Sequence, residues 1–103
     1  MEKMTHRSFD KIGRIIEIMM PLLNCDYSQA HKILKTTRTY RAIYEGDGAT
    51  LYQSAACCVE DIGRELCAIN SPYATYFTNE RINFALDQVR DYNIKLRERY
   101  VAL

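Results

Sequence analysis

Residues that could carry out chemistry are few and scattered along this 103-residue chain. The two histidines, His6 and His31, lie in different segments. The four cysteines contain no Cys-x-x-Cys pair; they are Cys25, Cys57, Cys58 and Cys67. A protein metal site needs ligands at matched spacing, so we predict none. We also predict no cofactor, because the turn Gly46-Asp47-Gly48 lacks the following lysine and preceding strand of a phosphate loop.

Two groups of side chains could support catalysis only with help from neighbours. Cys25 would need a nearby base, but His31 is six residues away, and that spacing places the two on different sides of a helix. The acidic residues of the third helical segment, Glu60, Asp61 and Glu65, lie off its apolar stripe, which is typical of a solvated or partner-facing surface. We therefore predict a protein that is not an enzyme, with a centre at Cys25 or Glu60 as the minor alternative.

The segment 31–41 is the most suggestive for binding. It places three threonines and Tyr40 among four cations, across a break that resembles a helix-turn-helix; the cations are Lys32, Lys35, Arg38 and Arg41. Such a set could hold phosphates and present hydroxyls to a nucleic-acid duplex. However, the usual glycine of the turn is absent and the chain has a net charge of only +1. The other interpretation is a solvated helix face, with Arg38 or Arg41 paired to the acidic third segment.

Aromatic side chains supply the second candidate surface. The loop 73–77 contains Tyr73, Tyr76 and Phe77 and no charged residue. Such a loop either folds back on its own core or, if exposed, anchors an interface, and the sequence leaves both open. Together with Tyr92 and Tyr100 of the last segment, these three residues are the candidate interface residues.

Four helical segments must position these residues, and no segment shows convincing strand alternation. The first runs from about Ser8, which could cap it, to Leu23, and Pro21 should bend or end it. The second begins at Asp26 and breaks at Thr36–Thr37, so that a short helix follows over residues 38–44. Residues 46–48 form a turn.

The third and fourth segments are longer. The third is predicted as one helix over residues 49–69, stopped by the sequence Asn70-Ser71-Pro72. The fourth begins after Thr78 and reaches Tyr100. Three apolar stripes are predicted to be buried: Phe9, Ile12, Ile15, Ile16, Met19, Met20 and Leu23; Leu51, Ala55, Cys58, Val59, Ile62, Leu66 and Ile69; and Ile82, Ala85, Leu86, Val89, Asn93, Leu96 and Tyr100.

These segments predict an all-α fold. We expect one four-helix bundle-like domain over residues 1–103, with a short extra helix near residues 38–45. The fourth helix would be roughly 34 Å long at about 1.5 Å per residue. A compact domain of this size has a radius of gyration of only about 13 Å. The excess length of the helix therefore predicts a partner.

Charge is distributed unevenly along the chain. Residues 26–45 carry four Lys/Arg against two acids, a surplus of +2, while residues 46–70 carry one Arg against four acids, a balance of −3. This complementarity suits docking within one molecule or between copies.

The sequence also contains no targeting or membrane signal. Glu17 interrupts the first apolar run, no cleavage site follows it, and no stretch reaches the roughly 18 apolar residues of a membrane span. We therefore expect a cytoplasmic protein with reduced cysteines and no membrane partner.

The order of features resembles that of small uncharacterised bacterial helical domains of unknown function, found in gut bacteria and mobile elements. In those domains, an apolar first helix precedes alanine and leucine positions like Ala30 and Leu34, and a tyrosine-containing turn leads to an acidic pair like Asp61-Ile62. The likeness covers about half of the chain and has no counterpart for residues 71–103. It implies a bacterial origin and brings no function and no site residues.

Taken together, these patterns indicate a non-enzymatic helical protein–protein interaction module. The expected partner is a second copy, in a homodimer formed by the terminal helices, or else a second protein. The alternative is a small nucleic-acid-binding regulator that uses segment 31–41.

Overall fold

Capping side chains divide the chain into short and long helices. A computed structural model describes residues 4–101. Within that range there is no strand, and the predicted all-α class is confirmed. The helices are α1 (His6–Leu23), α2 (Tyr27–Leu34), α3 (Arg38–Tyr44), α4 (Gly48–Tyr52), α5 (Ala55–Ala68) and α6 (Asn79–Val101), with a 3-10 helix (Pro72–Tyr76) between α5 and α6.

The core surrounds α1, which packs against α2, α3, α5 and α6. Its residues Ile15, Ile16 and Met19 are completely buried. These four helices contribute inward apolar side chains to the same cluster: Ala30, Ile33, Leu34, Ile43, Cys58, Val59, Ile62, Leu66, Ile82 and Ala85. Because α1 has neighbours on several sides, its apolar face is wide, as the sequence pattern indicates.

The start of α1 differs from the sequence prediction, whereas its end at Leu23 agrees with it. The helix begins before Ser8, because the hydroxyl of Thr5 accepts a hydrogen bond from the Ser8 N–H at 3.1 Å and so acts as the cap. Ser8 itself is buried. Pro21 does not end the helix, which continues to Leu23 and stops at Asn24 in the left-handed conformation, at φ 53°. Phe9, predicted to be buried, is exposed.

The second segment and the short extra helix are confirmed. Asp26 caps α2 by accepting a hydrogen bond from the Gln29 N–H at 2.8 Å. Thr37 ends the connection and caps α3, since its hydroxyl accepts a hydrogen bond from the Tyr40 N–H at 3.1 Å. The turn that follows α3 contains Gly46 at φ 82°, a conformation that glycine adopts without steric cost.

The third segment is two helices rather than one. Ser54 is extended (φ −64°, ψ 154°), and its side chain caps α5 by accepting a hydrogen bond from the Cys57 N–H. Apolar periodicity continues across this break, from Leu51 to Cys58, which explains why the sequence pattern predicts a single helix. The stripe of α5 is buried as far as Leu66, whereas Ile69, predicted to be buried, is 66% exposed.

The fourth segment is α6, and Thr78 caps it as predicted, through the Arg81 N–H at 3.2 Å. Its predicted stripe is buried or half-buried up to Val89. Beyond that point the prediction of burial is wrong for Asn93 and Tyr100, which are both exposed, while Leu96 is half-buried. The second half of α6 therefore runs outside the core.

The described residues form an elongated body. Its longest dimension is 46 Å and its radius of gyration is 14.2 Å, above the value of about 13 Å for a compact domain of this length. The predicted domain of residues 1–103 includes residues 1–3 and 102–103, which lie outside the described residues. None of the helices described is both long and apolar enough to cross a membrane.

Candidate functional site

Two surfaces contain the residues that the sequence singles out for binding. The first, here called the α2–α3 surface, is formed by Tyr27, His31, Lys35, Arg38, Tyr40, Arg41 and Tyr44. The turn of residues 35–37 joins α2 to α3 there. Of the four predicted nucleic-acid contacts, Lys35, Arg38 and Arg41 line one open cavity of about 510 Å³, and Lys32 lies exposed outside it. Tyr40, Tyr44 and Glu45 complete its wall together with Thr36 and Thr37.

Four aromatic rings form a row across this surface. The ring centroids of Tyr27 and His31 are 6.0 Å apart, those of His31 and Tyr40 are 6.1 Å apart, and those of Tyr40 and Tyr44 are 6.0 Å apart. The row thus passes from α2 to α3. Its end members remain available to solvent, with Tyr27 49% and Tyr44 42% exposed, while the two middle rings are half-buried.

The middle rings stay neutral near pH 7. Burial, and then the nearby Lys35, lowers the pKa of His31 below its ordinary value, so the imidazole is uncharged. Burial, and then the neighbouring Tyr44, raises the pKa of Tyr40, which therefore remains a phenol. The row consequently offers flat neutral rings, and the positive charge of this surface comes from the lysine and the arginines.

The threonines of this segment hydrogen-bond within the protein. The hydroxyl of Thr36 donates to the Ile33 carbonyl and that of Thr37 to the Leu34 carbonyl, both at 2.7 Å. The Thr39 hydroxyl donates to the Glu65 carboxylate at 2.6 Å. These hydroxyl protons stabilise the turn and α3, so they are not free to donate to a ligand.

Glu65 of α5 binds the beginning of α3. Its carboxylate accepts hydrogen bonds from the backbone N–H groups of Arg38 at 2.6 Å and Thr39 at 3.1 Å, besides the Thr39 hydroxyl. A carboxylate at a helix N-terminus is favourable because it satisfies free N–H groups and opposes the helix dipole. The acidic α5 thus contacts the basic segment through the backbone, and not through the predicted ion pair with Arg38 or Arg41.

The cations of the α2–α3 surface form no ion pair with the residues described. Within residues 4–101, the ion pairs join Arg14 to Asp10, Arg64 to Asp61 and Arg90 to Asp87. The three cavity-lining cations therefore keep their charge available to solvent or to a ligand.

The second surface, here called the α6 tail, is residues 90–101. All of its side chains are exposed except that of Leu96, which is half-buried. The predicted interface residues Tyr92 and Tyr100 are 63% and 76% exposed, and Val101 is 81% exposed. Large apolar side chains on a helix that leaves the core are typical of an interface.

The spacing of apolar residues along α6 follows a coiled-coil pattern. Its stripe advances by four and three residues in alternation, through Ile82, Leu86, Val89, Asn93, Leu96 and Tyr100. This alternation places them at successive a and d positions of a heptad repeat. α1 covers the first half of this stripe, and no described residue covers Asn93 or Tyr100 in the second half.

A groove connects the α6 tail to the body of the protein. It has a volume of about 400 Å³ and lies between α1 and α6, where Met20 and Pro21 face Val89 and Tyr92. Glu17 and Gln88 form its polar edge. Because Tyr92 belongs both to the groove and to the tail, the two form one continuous surface.

The aromatic loop contacts its own domain. The hydroxyl of Tyr73 accepts a hydrogen bond from the Gln29 side chain at 3.3 Å, and the guanidinium of Arg81 lies 4.8 Å from the centre of the Tyr76 ring. Phe77 packs against the core at Gly63. Each of the three aromatic residues thus has an intramolecular partner, although Tyr73 and Tyr76 stay partly exposed. The five predicted interface residues fall into two groups, one in this loop and one in the α6 tail.

The candidate catalytic and metal-binding residues are not brought together. No group of three or more potential metal ligands occurs among the described residues. Burial raises the pKa of the Cys25 thiol, as does the nearby Asp26, so this cysteine stays protonated. His31 packs between Tyr27 and Tyr40. Cys58 is completely buried, as its stripe position predicts.

Two features of these surfaces were not predicted, although each corresponds to a spacing pattern in the sequence. Tyr27 with His31, and Tyr40 with Tyr44, stand four residues apart, which places each pair on one helix face. The four-three alternation in α6 is equally visible in the sequence. What joins the two aromatic pairs is the short turn of residues 35–37 and the packing of both helices on α1, which spacing alone does not specify.

No protein-family model, curated protein or solved structure that was compared with the chain matches it.

Proposed function

We propose that this protein is a non-enzymatic helical interaction module that assembles with a second copy of itself through the α6 tail. The observation that carries this proposal is the a/d stripe of α6 beyond Val89, where Asn93 and Tyr100 are exposed and Leu96 is half-buried. α1 packs on the first half of this stripe, and a helix from another chain would pack on the second half.

The composition of the tail favours a partner over solvent. A helix of about a dozen residues without tertiary contacts is only marginally stable in water. The tail nevertheless presents Leu96 and Tyr100 on its stripe with Tyr92 beside them, and tyrosine is enriched in interface cores. Burial of this stripe against another helix would stabilise both the helix and the assembly.

Asn93 supports an identical chain as the partner. It occupies an a position, where a single asparagine specifies the register and oligomeric state of coiled coils. Its amide both donates and accepts hydrogen bonds, so it can be satisfied by the same amide of a second copy. A two-fold axis through this position needs only one kind of surface, which the chain itself supplies.

The charges beside the stripe have both signs. Arg97, Glu98 and Arg99 follow one another near the end of the tail. Such a sequence places opposite charges within reach when two copies meet, and it avoids the repulsion of a tail with a single sign. Two of the three acids of α5 already have partners, since Glu65 is bonded to α3 and Asp61 to Arg64.

Light scattering on a sizing column tests the proposal. At tens of micromolar we expect a mass near twice the 12.0 kDa of one chain. Leu96→Glu should return the mass to that of one chain, because it places a charge within the proposed interface. The helical circular dichroism of the domain should persist, since Leu96 does not pack on the core.

Ile94→Glu is the matched control. It exchanges an apolar residue for the same charged one only two positions away, but Ile94 lies off the a/d stripe and is already exposed. It should leave the mass of the assembly unchanged. A mass of 12.0 kDa for the unmodified chain under these conditions would exclude self-association. Equal effects of the two variants would exclude the a/d stripe as the interface.

A further inference from the structure

We propose that the α2–α3 surface binds single-stranded nucleic acid, with bases stacked on its aromatic row and phosphates held by Lys35, Arg38 and Arg41. This activity is separate from self-association, since none of these residues belongs to the α6 tail.

The aromatic row supplies the stacking platform. Three ring-to-ring steps of 6.0–6.1 Å connect Tyr27 to Tyr44 across two helices, and both end rings are more than two-fifths exposed. Proteins that bind single strands stack successive bases on such side chains, since every base has a flat face. Packing of the rings against one another holds the row in place before any ligand binds.

The cations stand beside the rings and not apart from them. Lys35, Arg38 and Arg41 line the same cavity as Tyr40 and Tyr44, and Glu45 supplies the only carboxylate among the described residues that line it. The local charge is therefore positive although the whole chain carries only +1. Three phosphate contacts on a single strand predict that the logarithm of the binding constant falls with the logarithm of salt concentration with a slope of about −2.

The geometry favours a single strand over a duplex. In a helix-turn-helix, the first residues of the recognition helix contact base edges. Here the first N–H groups of α3 are bonded to Glu65, and Thr39 and Ile43 are buried. The bases of a duplex stack on one another and offer no free face to a ring, whereas those of a single strand do.

The same features disfavour an acidic protein as the ligand. An acidic segment would use the cations but would leave the row of four rings without a role. Nucleotides match both halves of the surface, with one flat base and one charge for each unit. A ligand that needs both the rings and the cations can therefore be distinguished from a polyanion that is attracted by charge alone.

Fluorescence anisotropy with a labelled oligothymidylate of about a dozen nucleotides tests the proposal, a length within the range of known single-strand sites. The unmodified protein should bind at low salt with the slope given above. Tyr44→Ala should weaken binding about tenfold, the effect of losing one stacked base. Lys35→Glu with Arg38→Glu should abolish it, because two phosphate contacts become repulsive.

Matched variants separate this surface from general effects. Tyr52→Ala removes a tyrosine that is 81% exposed on α4, outside the surface, and should not alter binding. Arg7→Glu with Arg14→Glu makes the same change in net charge at two exposed positions of α1, outside both surfaces, and should weaken binding only slightly. Circular dichroism of every variant establishes that it is folded.

Three outcomes would overturn the proposal. The first is no binding of oligothymidylate at low salt. The second is equal affinity for an abasic strand or for polyglutamate, which would indicate attraction by charge alone. The third is tighter binding of a duplex of the same length, which would place the contacts on the duplex backbone.

Discussion

At the level of single residues, Gly13 and Gly63 both lie in an Ile-Gly-Arg sequence within a helix, but only Gly63 lies close to another side chain. A Cβ atom added at Gly63 of α5 would lie 2.6 Å from the Cβ and 3.0 Å from the Cγ of Phe77. At Gly13 of α1, a Cβ would meet nothing within 4 Å. Gly63 therefore permits the close approach of the aromatic loop to α5, while Gly13 serves no such contact.

The two alanine variants should consequently change stability in opposite directions. We expect Gly63→Ala to destabilise the protein by about 1–3 kcal/mol, because the Cβ of Phe77 is close to the backbone and cannot rotate away. Gly13→Ala should stabilise it by about 0.4–1 kcal/mol, because alanine loses less conformational entropy in a helix. Urea denaturation measures both free energies of unfolding. Equal signs for the two variants would contradict the packing of Phe77 on α5.

Glu65 gives a second test at this level. Glu65→Ala removes the acceptor of three hydrogen bonds from Arg38 and Thr39, and we expect a loss of about 1–3 kcal/mol in the free energy of unfolding. Glu60→Ala on the exposed side of α5 is the control and should remain within about 0.5 kcal/mol of the unmodified protein. A neutral Glu65→Ala would mean that α3 begins without this carboxylate.

At the level of helices, α6 combines two environments in one continuous element. Its first half packs on α1 through Ile82 and Ala85, and Arg81 also donates a hydrogen bond to the Leu22 carbonyl at 3.1 Å. Its second half meets α1 only where Tyr92 lines the groove with Met20 and Pro21, among the described residues. The ion pair of Arg90 with Asp87 is exposed and contributes little. Local stability should therefore decrease along the helix.

Hydrogen exchange can detect this gradient. Backbone amides of residues 94–101 should exchange rapidly in dilute protein, because a helix end with few buried contacts opens easily. Those of residues 83–89 should exchange slowly at every concentration. At higher protein concentration the tail should become protected, and Leu96→Glu should remove that protection. Protection that does not depend on concentration would show that the tail is stable in one chain.

At the level of the whole molecule, the proposed self-association predicts that folding is coupled to assembly. A partner that binds the folded chain alone raises its apparent stability by mass action. The melting temperature of the unmodified protein should thus rise with protein concentration. That of Leu96→Glu should stay constant, and that of Ile94→Glu should follow the unmodified protein. Differential scanning calorimetry over a hundredfold range of concentration measures this, and a melting temperature independent of concentration in all three would contradict assembly.

Local interactions explain what could be predicted from the sequence. The all-α class, the break before Thr37, the helix Arg38–Tyr44 and the cap at Thr78 depend on residues within about four positions of one another. The same holds for the inward stripes of α1 and α5 over most of their length. Helix formation and capping are short-range, so their signals are contained in short stretches of sequence.

Tertiary packing alone decides the remainder. Whether a stripe residue is buried depends on how far its neighbours extend, and so Ile69, Asn93 and Tyr100 are exposed although each continues an apolar period. The sequence likewise contains two tyrosine-containing pairs and three cations, but only the packing of α2 and α3 on α1 brings them together in one surface. Glu65 lies 26 residues from Thr39, and only the fold brings its carboxylate to the beginning of α3. Contacts between distant residues depend on the summed geometry of all helices, which no local pattern contains.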